Sequence, residues 1–412
     1  MKNFIQLEIK KFLNKSTFVI SSLFMIIIII QLIIIQGTIP NTWTIEARVL
    51  DDEGKLHSGF GAYRIVKERN ADIEGYVTPE YLTKLRTHNF VDRKYIVGEA
   101  RSMEDFGGQL IYPHVALFTV LNKPYGGPVN QEVGFLWEEN DDALFYENWK
   151  ASYPGNLIYE PNDNYGFTDR QLEIISEKMK KVETPFLYKY CEGWIFLNRF
   201  LSKTLYLFLI MLSFVICDVY GKNNGKGIDQ IILYTKESRR RLIGYKNLSA
   251  IVVTTILYAS YIGILLLYTA AVCTLHGWDA SAVFGTSTFY YSLNMLQMTL
   301  ICILMGYIAS LVITYLILFL SSVTKRGYMV LILMLPFLYI INKYSLSAFE
   351  PFKSMMPYMP QNFVNQSISL YTVRFIGDTI LPYAVIGLLL SMLYILVLRI
   401  GISISMKYYY LH

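Results

Sequence analysis

The chain has 412 residues, 53% of them hydrophobic and only 17% charged, with a mean hydropathy of +0.35. Soluble domains carry roughly 25% charged residues, so the composition excludes an ordinary soluble globular protein and points to the membrane. The formal net charge of +5 is too small a bias to suggest a nucleic-acid partner.

The chain opens with "MKNFIQLEIKKFLNKS", residues 1–16. Ile5, Ile9, Phe12 and Leu13 share one helical face and lysines occupy the rest, the pattern of an amphipathic helix lying on a membrane surface. Residues 17–36 contain "MIIIIIQLIII" and predict a first transmembrane helix, since about 20 apolar residues cross a bilayer. The run is longer than a signal-peptide core, and "IIIQGTIPN" offers no small-x-small cleavage site. A retained anchor is expected.

Residues 37–193 are too many for a loop and predict an inserted domain. "TPEYLTKL" and "TPFLYKY" read as helix starts, with Thr as cap and Pro in the first position. A third helix opens at "TDRQLEIISEKMKKV", where Thr168 and Gln171 form a capping box. Leu172, Ile175, Met179 and Val182 line its apolar face. "GQLIYPHVALFTVL" and "VGFLWEE" lack an evident helical period and read as strands. The expectation is a mixed α/β domain, mostly helical. Its last helix should run from Pro185 into the second span, with Tyr188, Tyr190 and Trp194 at the membrane interface.

The second span falls within 194–220. The others follow within 247–412, as Asn247–Thr274, about Ser292–Leu320, the short Tyr328–Ile341, and about Thr379–Ile400. Between the last two, 343–377 is semi-polar and broken by Pro357 and Pro360, which reads as a re-entrant or surface-lying segment. The fold class expected is an all-α integral membrane protein with six transmembrane helices. An extracellular mixed α/β domain is inserted between the first and second.

Basic residues orient the chain. With the N-terminus inside, the short inner segments hold 15 Lys or Arg against 4 Asp or Glu, and residues 37–193 fall outside with a net charge of −8. Both termini are then cytoplasmic, and so is the hairpin 221–246 with Arg239, Arg240 and Arg241. Arg199 and Lys203 near the outer end of the second span, and Asn294 and Gln297 three apart on one face of a later span, mark a candidate translocation pathway. The competing roles are snorkelling to headgroups for the two cations and helix–helix bonding for the two amides.

Motifs for chemistry are absent. "YGKNNGKGID" fails the P-loop pattern at Tyr220 and Gly227. There is no His-Glu-x-x-His and no Gly-x-Ser-x-Gly, and the four cysteines and five histidines show no metal-site spacing. No catalytic residue, cofactor or metal is expected in this chain.

In the hairpin, Ile228, Ile231 and Ile232 form a stripe too short to span, followed by a charged end. Such a helix suits docking into a groove of another protein, while the arginines also suit anionic lipid. The layout as a whole resembles the permease subunits of type-2 ABC exporters, in particular Firmicutes-like permeases with a large extracellular insert. Two stretches carry the likeness, "ETPFLYKYCEGWIFL" and "GKGIDQIILYTKESRRRLIGYKNLSA". The resemblance implies a bacterial plasma-membrane subunit that is not itself an enzyme. It implies pairing with a second permease copy, identical or paralogous, and with two separate ATPase subunits that bind ATP. It also implies a coupling helix in the hairpin, with Ile231, Leu233, Tyr234, Glu237, Arg239, Arg240 and Arg241 at the contact. The expected cargo is peptide-like or amphipathic, and an acidic outer domain would attract cationic antimicrobial peptides. A peptide-sensing or immunity subunit with little net transport is the alternative.

Overall fold

The computed structural model describes residues 15–38, 49–50, 55–57, 73–87, 141–158, 168–221, 236–285, 292–342, 358–364 and 374–409. It also describes positions 64, 67–68, 71, 117, 120–121 and 124. Residues 1–14 of the surface helix expected at 1–16, and the stretch 222–235, lie outside the described residues.

Nine helices of eight or more residues are described: α1 (Lys15–Thr38), α2 (Pro79–Thr87), α3 (Phe145–Ile158), α4 (Asp169–Lys180), α5 (Glu192–Ile216), α6 (Lys236–Val272), α7 (Met295–Thr324), α8 (Gly327–Asn342) and α9 (Tyr383–Tyr409). Three two-stranded antiparallel ribbons complete it: β1 (Val49–Leu50) with β2 (Leu56–His57), β3 (Gly75–Tyr76) with β4 (Leu187–Tyr188), and β5 (Arg374–Ile376) with β6 (Thr379–Leu381). Among the described residues, five helices are long and apolar enough to cross a membrane: α1, α5, α6, α7 and α9. This is the make-up of a multi-pass membrane protein. α8 is the expected fifth span, but its 16 residues reach roughly 24 Å, short of a hydrocarbon core of about 30 Å.

α5 is the hub. It packs against α1, α6, α7 and α8 and is buried around most of its circumference, as a helix apolar on all sides must be. α1 instead buries one stripe, Thr17, Ser21, Met25, Ile28 and Leu32, and exposes Phe18, Leu23, Ile27, Ile30 and Ile34. The stripe has the three-and-four spacing of a single helix face, and the exposed remainder is a lipid-facing surface. α9 is alike, with Ile402 and Met406 buried and Leu389, Leu393, Leu396 and Ile400 exposed. Polar side chains tie the bundle. The Thr204 and Tyr261 hydroxyls bond at 2.7 Å, those of Thr254 and Thr314 at 2.8 Å, and Tyr258 donates to the Ile303 carbonyl at 2.7 Å. Hydroxyl bonds of this kind hold helices together where solvent supplies no hydrophobic drive.

The segment between α1 and α5 has a core of its own, with Leu82, Phe145, Trp149, Ile175 and Met179 fully buried. Thr78 caps α2 through the Tyr81 N–H at 3.3 Å. Thr168 and Gln171 form the reciprocal box that starts α4. Two expectations are corrected. Leu117, Val120 and Leu121, expected in a strand, are helical and buried; their i, i+3, i+4 spacing is a helix face after all. No helix starts at Pro185. The Thr184–Pro185 bond is cis, and Phe186, Tyr188 and Tyr190 are buried with Leu187 and Lys189 between them more exposed, the period of a strand. That strand is β4, paired to β3.

The spans also shift from their expected limits. α5 starts at Glu192 and ends at Ile216. α6 runs on past the expected third span to Lys236, so Arg239, Arg240 and Arg241 lie on the helix itself. Residues 379–381, expected at the start of the last span, form β6. The two-residue turn Gly377–Asp378 precedes it, with Gly377 at φ +59°, a conformation that tight hairpins need.

Candidate functional site

α5 and α7 begin at one end of the bundle, beside the 37–191 segment. Their other ends meet residues 217–221 and the Leu242–Asn247 part of α6. At the first end, residues 273–285 clasp the incoming chain. Ser281 N–H donates to the Leu187 carbonyl at 2.9 Å, and Leu187 N–H donates to Ser281 Oγ at 3.0 Å. Lys189 Nζ meets Asp279 Oδ2 at 2.6 Å with both side chains half-buried. Glu74 accepts from Tyr190 N–H at 3.0 Å and holds His276 Nε2 at 2.9 Å. Trp194 Nε1–H is shared by the Leu275 and His276 carbonyls, at 3.2 and 3.1 Å.

Tyr188, Tyr190 and Trp194 are therefore buried within the protein rather than set at a lipid interface. The clasp offers Trp194 two carbonyls and Tyr188 an aromatic neighbour, Phe284, 5.0 Å from its ring. Burial also pushes the Cys191 thiol well above its usual value, with Glu192 adding to the shift. It is an inert thiol.

Of the candidate pathway residues, Arg199 is half-buried and Lys203 exposed on α5. Asn294 and Gln297 are not a pair on the middle of a helix face. Asn294 is the N-cap of α7, its Oδ1 accepting from Gln297 N–H at 2.8 Å, and Gln297 Oε1 accepts from Asn294 N–H at 3.0 Å. Each satisfies the other, so their bonding capacity serves the helix start.

At the hairpin end, three helices converge on Tyr220. The chain leaves α5 through Cys217–Gly221. There Tyr220 N–H donates to Ser321 Oγ at 3.0 Å and Tyr220 OH donates to Asn247 Oδ1 at 2.8 Å. The Tyr220 ring carries two ammonium groups, Lys246 Nζ at 5.4 Å and Lys325 Nζ at 5.5 Å from its centroid. Lys246 also donates to the Val219 carbonyl at 3.2 Å, and Lys325 to Met406 Sδ at 2.8 Å on α9. Both lysines are nearly enclosed, at 4% and 6% exposure. Lys325 is the left-handed C-cap of α7 at φ +55°. Partial burial raises the Asp218 carboxyl, opposed by the Gly327 N–H and the Lys246 ammonium. One small cluster thus fastens the end of α5 to α6, α7, α8 and α9.

Nothing local in the sequence marks this cluster. Lys246 and Lys325 read as ordinary basic flanks of spans in the sequence, and Tyr220 as the last residue of one. Of the hairpin residues expected at the coupling contact, Ile228, Ile231, Ile232, Leu233 and Tyr234 lie outside the described residues. Glu237, Arg239 and Arg240 lie on the first turns of α6, and Arg241 there is exposed.

Lys325 gives a pH signature. Burial, reinforced by Lys246, pulls its ammonium down to about 8. A lysine held below its free value opposes folding while protonated. That penalty is relieved as pH rises through the folded value toward the free one. The melting temperature of the wild type, relative to Lys325→Met, should therefore climb between about pH 8 and about pH 10.5. Parallel pH profiles for the two proteins would refute the assignment.

Among the described residues no group of three or more His, Cys, Asp or Glu is placed to hold a metal. No protein-family model, no curated protein and no solved structure matches the chain.

Proposed function

We propose that the chain is the membrane-spanning permease subunit of an ATP-binding-cassette exporter that moves a peptide-like or amphipathic substrate. Its six spans are α1, α5, α6, α7, the short α8 and α9, with the 37–193 domain outside and the 221–246 hairpin in the cytoplasm of a bacterial cell. Two copies, identical or paralogous, act with two ATPase subunits, and ATP is bound there. The supporting observation is the Tyr220 cluster. The two roots of the hairpin, Cys217–Gly221 and Leu242–Asn247, are fastened to each other at Val219 and Tyr220, and the first is also fastened to α7 at Ser321 and Lys325, which reaches α9 through Met406. Force applied to the hairpin then moves packed helices rather than a slack loop, and packed helices switch between discrete arrangements. α6 supports the same reading, since its 37 residues reach roughly 55 Å and exceed the bilayer core by several turns.

In this reading the hairpin's Ile228, Ile231, Ile232, Leu233 and Tyr234 enter the ATPase groove, and Glu237 with Arg239, Arg240 and Arg241 frames the contact. The double substitution Ile231→Asp and Leu233→Asp should release a co-expressed ATPase subunit in a pull-down while the permease still reaches the membrane. An unchanged complex would sink the docking assignment. Substrate-stimulated ATP turnover without vesicle flux would instead identify a peptide-sensing subunit.

A further inference from the structure

The 358–364 segment enters the bundle rather than lying over it. Val364 Cγ2 would stand 3.3 Å from a Cβ placed on Gly306 of α7, and Phe363 lies beside Gly387 of α9. Gly306 is eleven residues past the start of α7, roughly 16 Å down its axis. Tyr394 OH of α9 donates to the Tyr358 carbonyl at 3.2 Å. The chain there is a single 3-10 turn, Pro360–Asn362, that passes into helical Phe363 and Val364, and so short an irregular turn inside a bundle persists only where protein covers it or where it lines water.

Three elements meet there in pairs: α5 with α7, α7 with the Pro360–Asn362 turn, and α5 with that turn. Each contributes a polar side chain more than nine-tenths buried whose atoms find no hydrogen-bond partner. These are Asn198 Oδ1 on α5, Thr299 Oγ1 on α7, and both Oε1 and Nε2 of Gln361. Their depths agree. α5 and α7 start level, since the clasp holds Trp194 and the Leu296 N–H together. Asn198 is six residues and Thr299 four residues into their helices, roughly 9 and 6 Å down. An orphaned polar group in a dry interior is costly, and one on each of three mutually packed elements calls for something to bond.

We infer that Asn198, Thr299 and Gln361 wall a hydrated pocket between α5, α7 and the 360–364 turn. The pocket opens toward the end of the bundle where α5 and α7 begin. The three groups are uncharged and offer both donors and acceptors. They match water and, by the same chemistry, the amide or hydroxyl groups of a neutral ligand such as a peptide backbone. This deepens the transport reading by moving the pathway from Asn294 and Gln297, which satisfy each other, to these three groups. It does not depend on the ATPase pairing, so the pull-down and the following test fail independently.

The test is thiol accessibility in the full-length protein in proteoliposomes, with the four native cysteines replaced. Asn198→Cys, Thr299→Cys and Gln361→Cys are each exposed to a membrane-impermeant cationic methanethiosulfonate. The comparison sites are Ile313→Cys, fully buried on α7, and Leu300→Cys on its exposed face. The pocket residues should react at least tenfold faster than both controls, and rates equal to Ile313→Cys overturn the inference. A second measurement covers variants that fold poorly. Thr299→Val removes only the hydroxyl, so in a hydrated pocket it leaves the melting temperature unchanged or lower. In a dry interior it removes an orphaned group and raises it, which would also overturn the inference.

Discussion

Gly193→Ala should lower folding stability by about 3 kcal/mol, with a large fall in melting temperature in detergent. A Cβ on Gly193 would overlap the carbonyl oxygen of Thr274, a backbone atom. Overpacking costs least when the neighbour is a flexible side-chain tip, and here it is not. Thr274 cannot easily give way, because it already stands at φ +75°, a region that β-branched residues rarely occupy. Three residues on, Gly277 at φ +72° lies where a Cβ would come within 2.5 Å of the Tyr190 carbonyl. The clasp and the start of α5 are thus pressed backbone to backbone, and one methyl must separate them. Separation would also strain the Trp194, Ser281 and Lys189 contacts that dock the 37–191 segment on the bundle. Limited proteolysis should detect the loosened segment. Gly244→Ala is the matched control. It stands on α6 with open space around it, so the alanine should stabilise by about 0.5–1 kcal/mol through helix propensity alone. Equal melting temperatures for Gly193→Ala and the wild type would show that the two backbones are not in contact.

The elements legible in the sequence were those whose signal is local. The long apolar runs gave the five membrane-grade helices, and the Thr168–Gln171 spacing gave the α4 cap with its Ile175 and Met179 face. What was not legible depends on partners distant in the chain. "TPFLYKY" has a good helix-start composition, but Leu187 and Tyr188 find β3 about 110 residues earlier and Ser281 about 94 residues later. Those ladder bonds outweigh the local preference. Leu117, Val120 and Leu121 lie in a stretch where proline and aromatics mask the helical period. Asn294 and Gln297 were noticed as a pair, yet the same i, i+3 spacing describes a cap and a helix face. Only the position of the helix start decides between them. Lys246 and Lys325 show the limit most plainly. A basic residue at a span end is usually a topology signal, and nothing in either flank reveals that the two meet over one ring.

Tyr220→Ala should be among the most disruptive single changes at the hairpin end, costing about 3–5 kcal/mol. The ring fills a buried position at 4% exposure, and its loss leaves a cavity where α5 turns out of the bundle. It also carries two enclosed ammonium groups, 5.4 and 5.5 Å from its centroid. Desolvated cation–π contacts contribute up to about 2 kcal/mol each, and without the ring Lys246 and Lys325 keep their mutual repulsion. Tyr220→Phe separates the effects. It retains the ring and removes only the hydrogen bond to Asn247, so it should cost about 1–2 kcal/mol. Combining Tyr220→Ala with Lys325→Met tests the ring–cation coupling directly, because neighbouring groups in one network do not add. The penalty of Tyr220→Ala should be smaller in the Lys325→Met background by at least about 1 kcal/mol, since one charge that needs the ring is gone. Strict additivity would mean that Tyr220 acts by volume alone. In that case the two lysines would be separate anchors for α6 and α7, and the junction would not transmit hairpin motion as a unit.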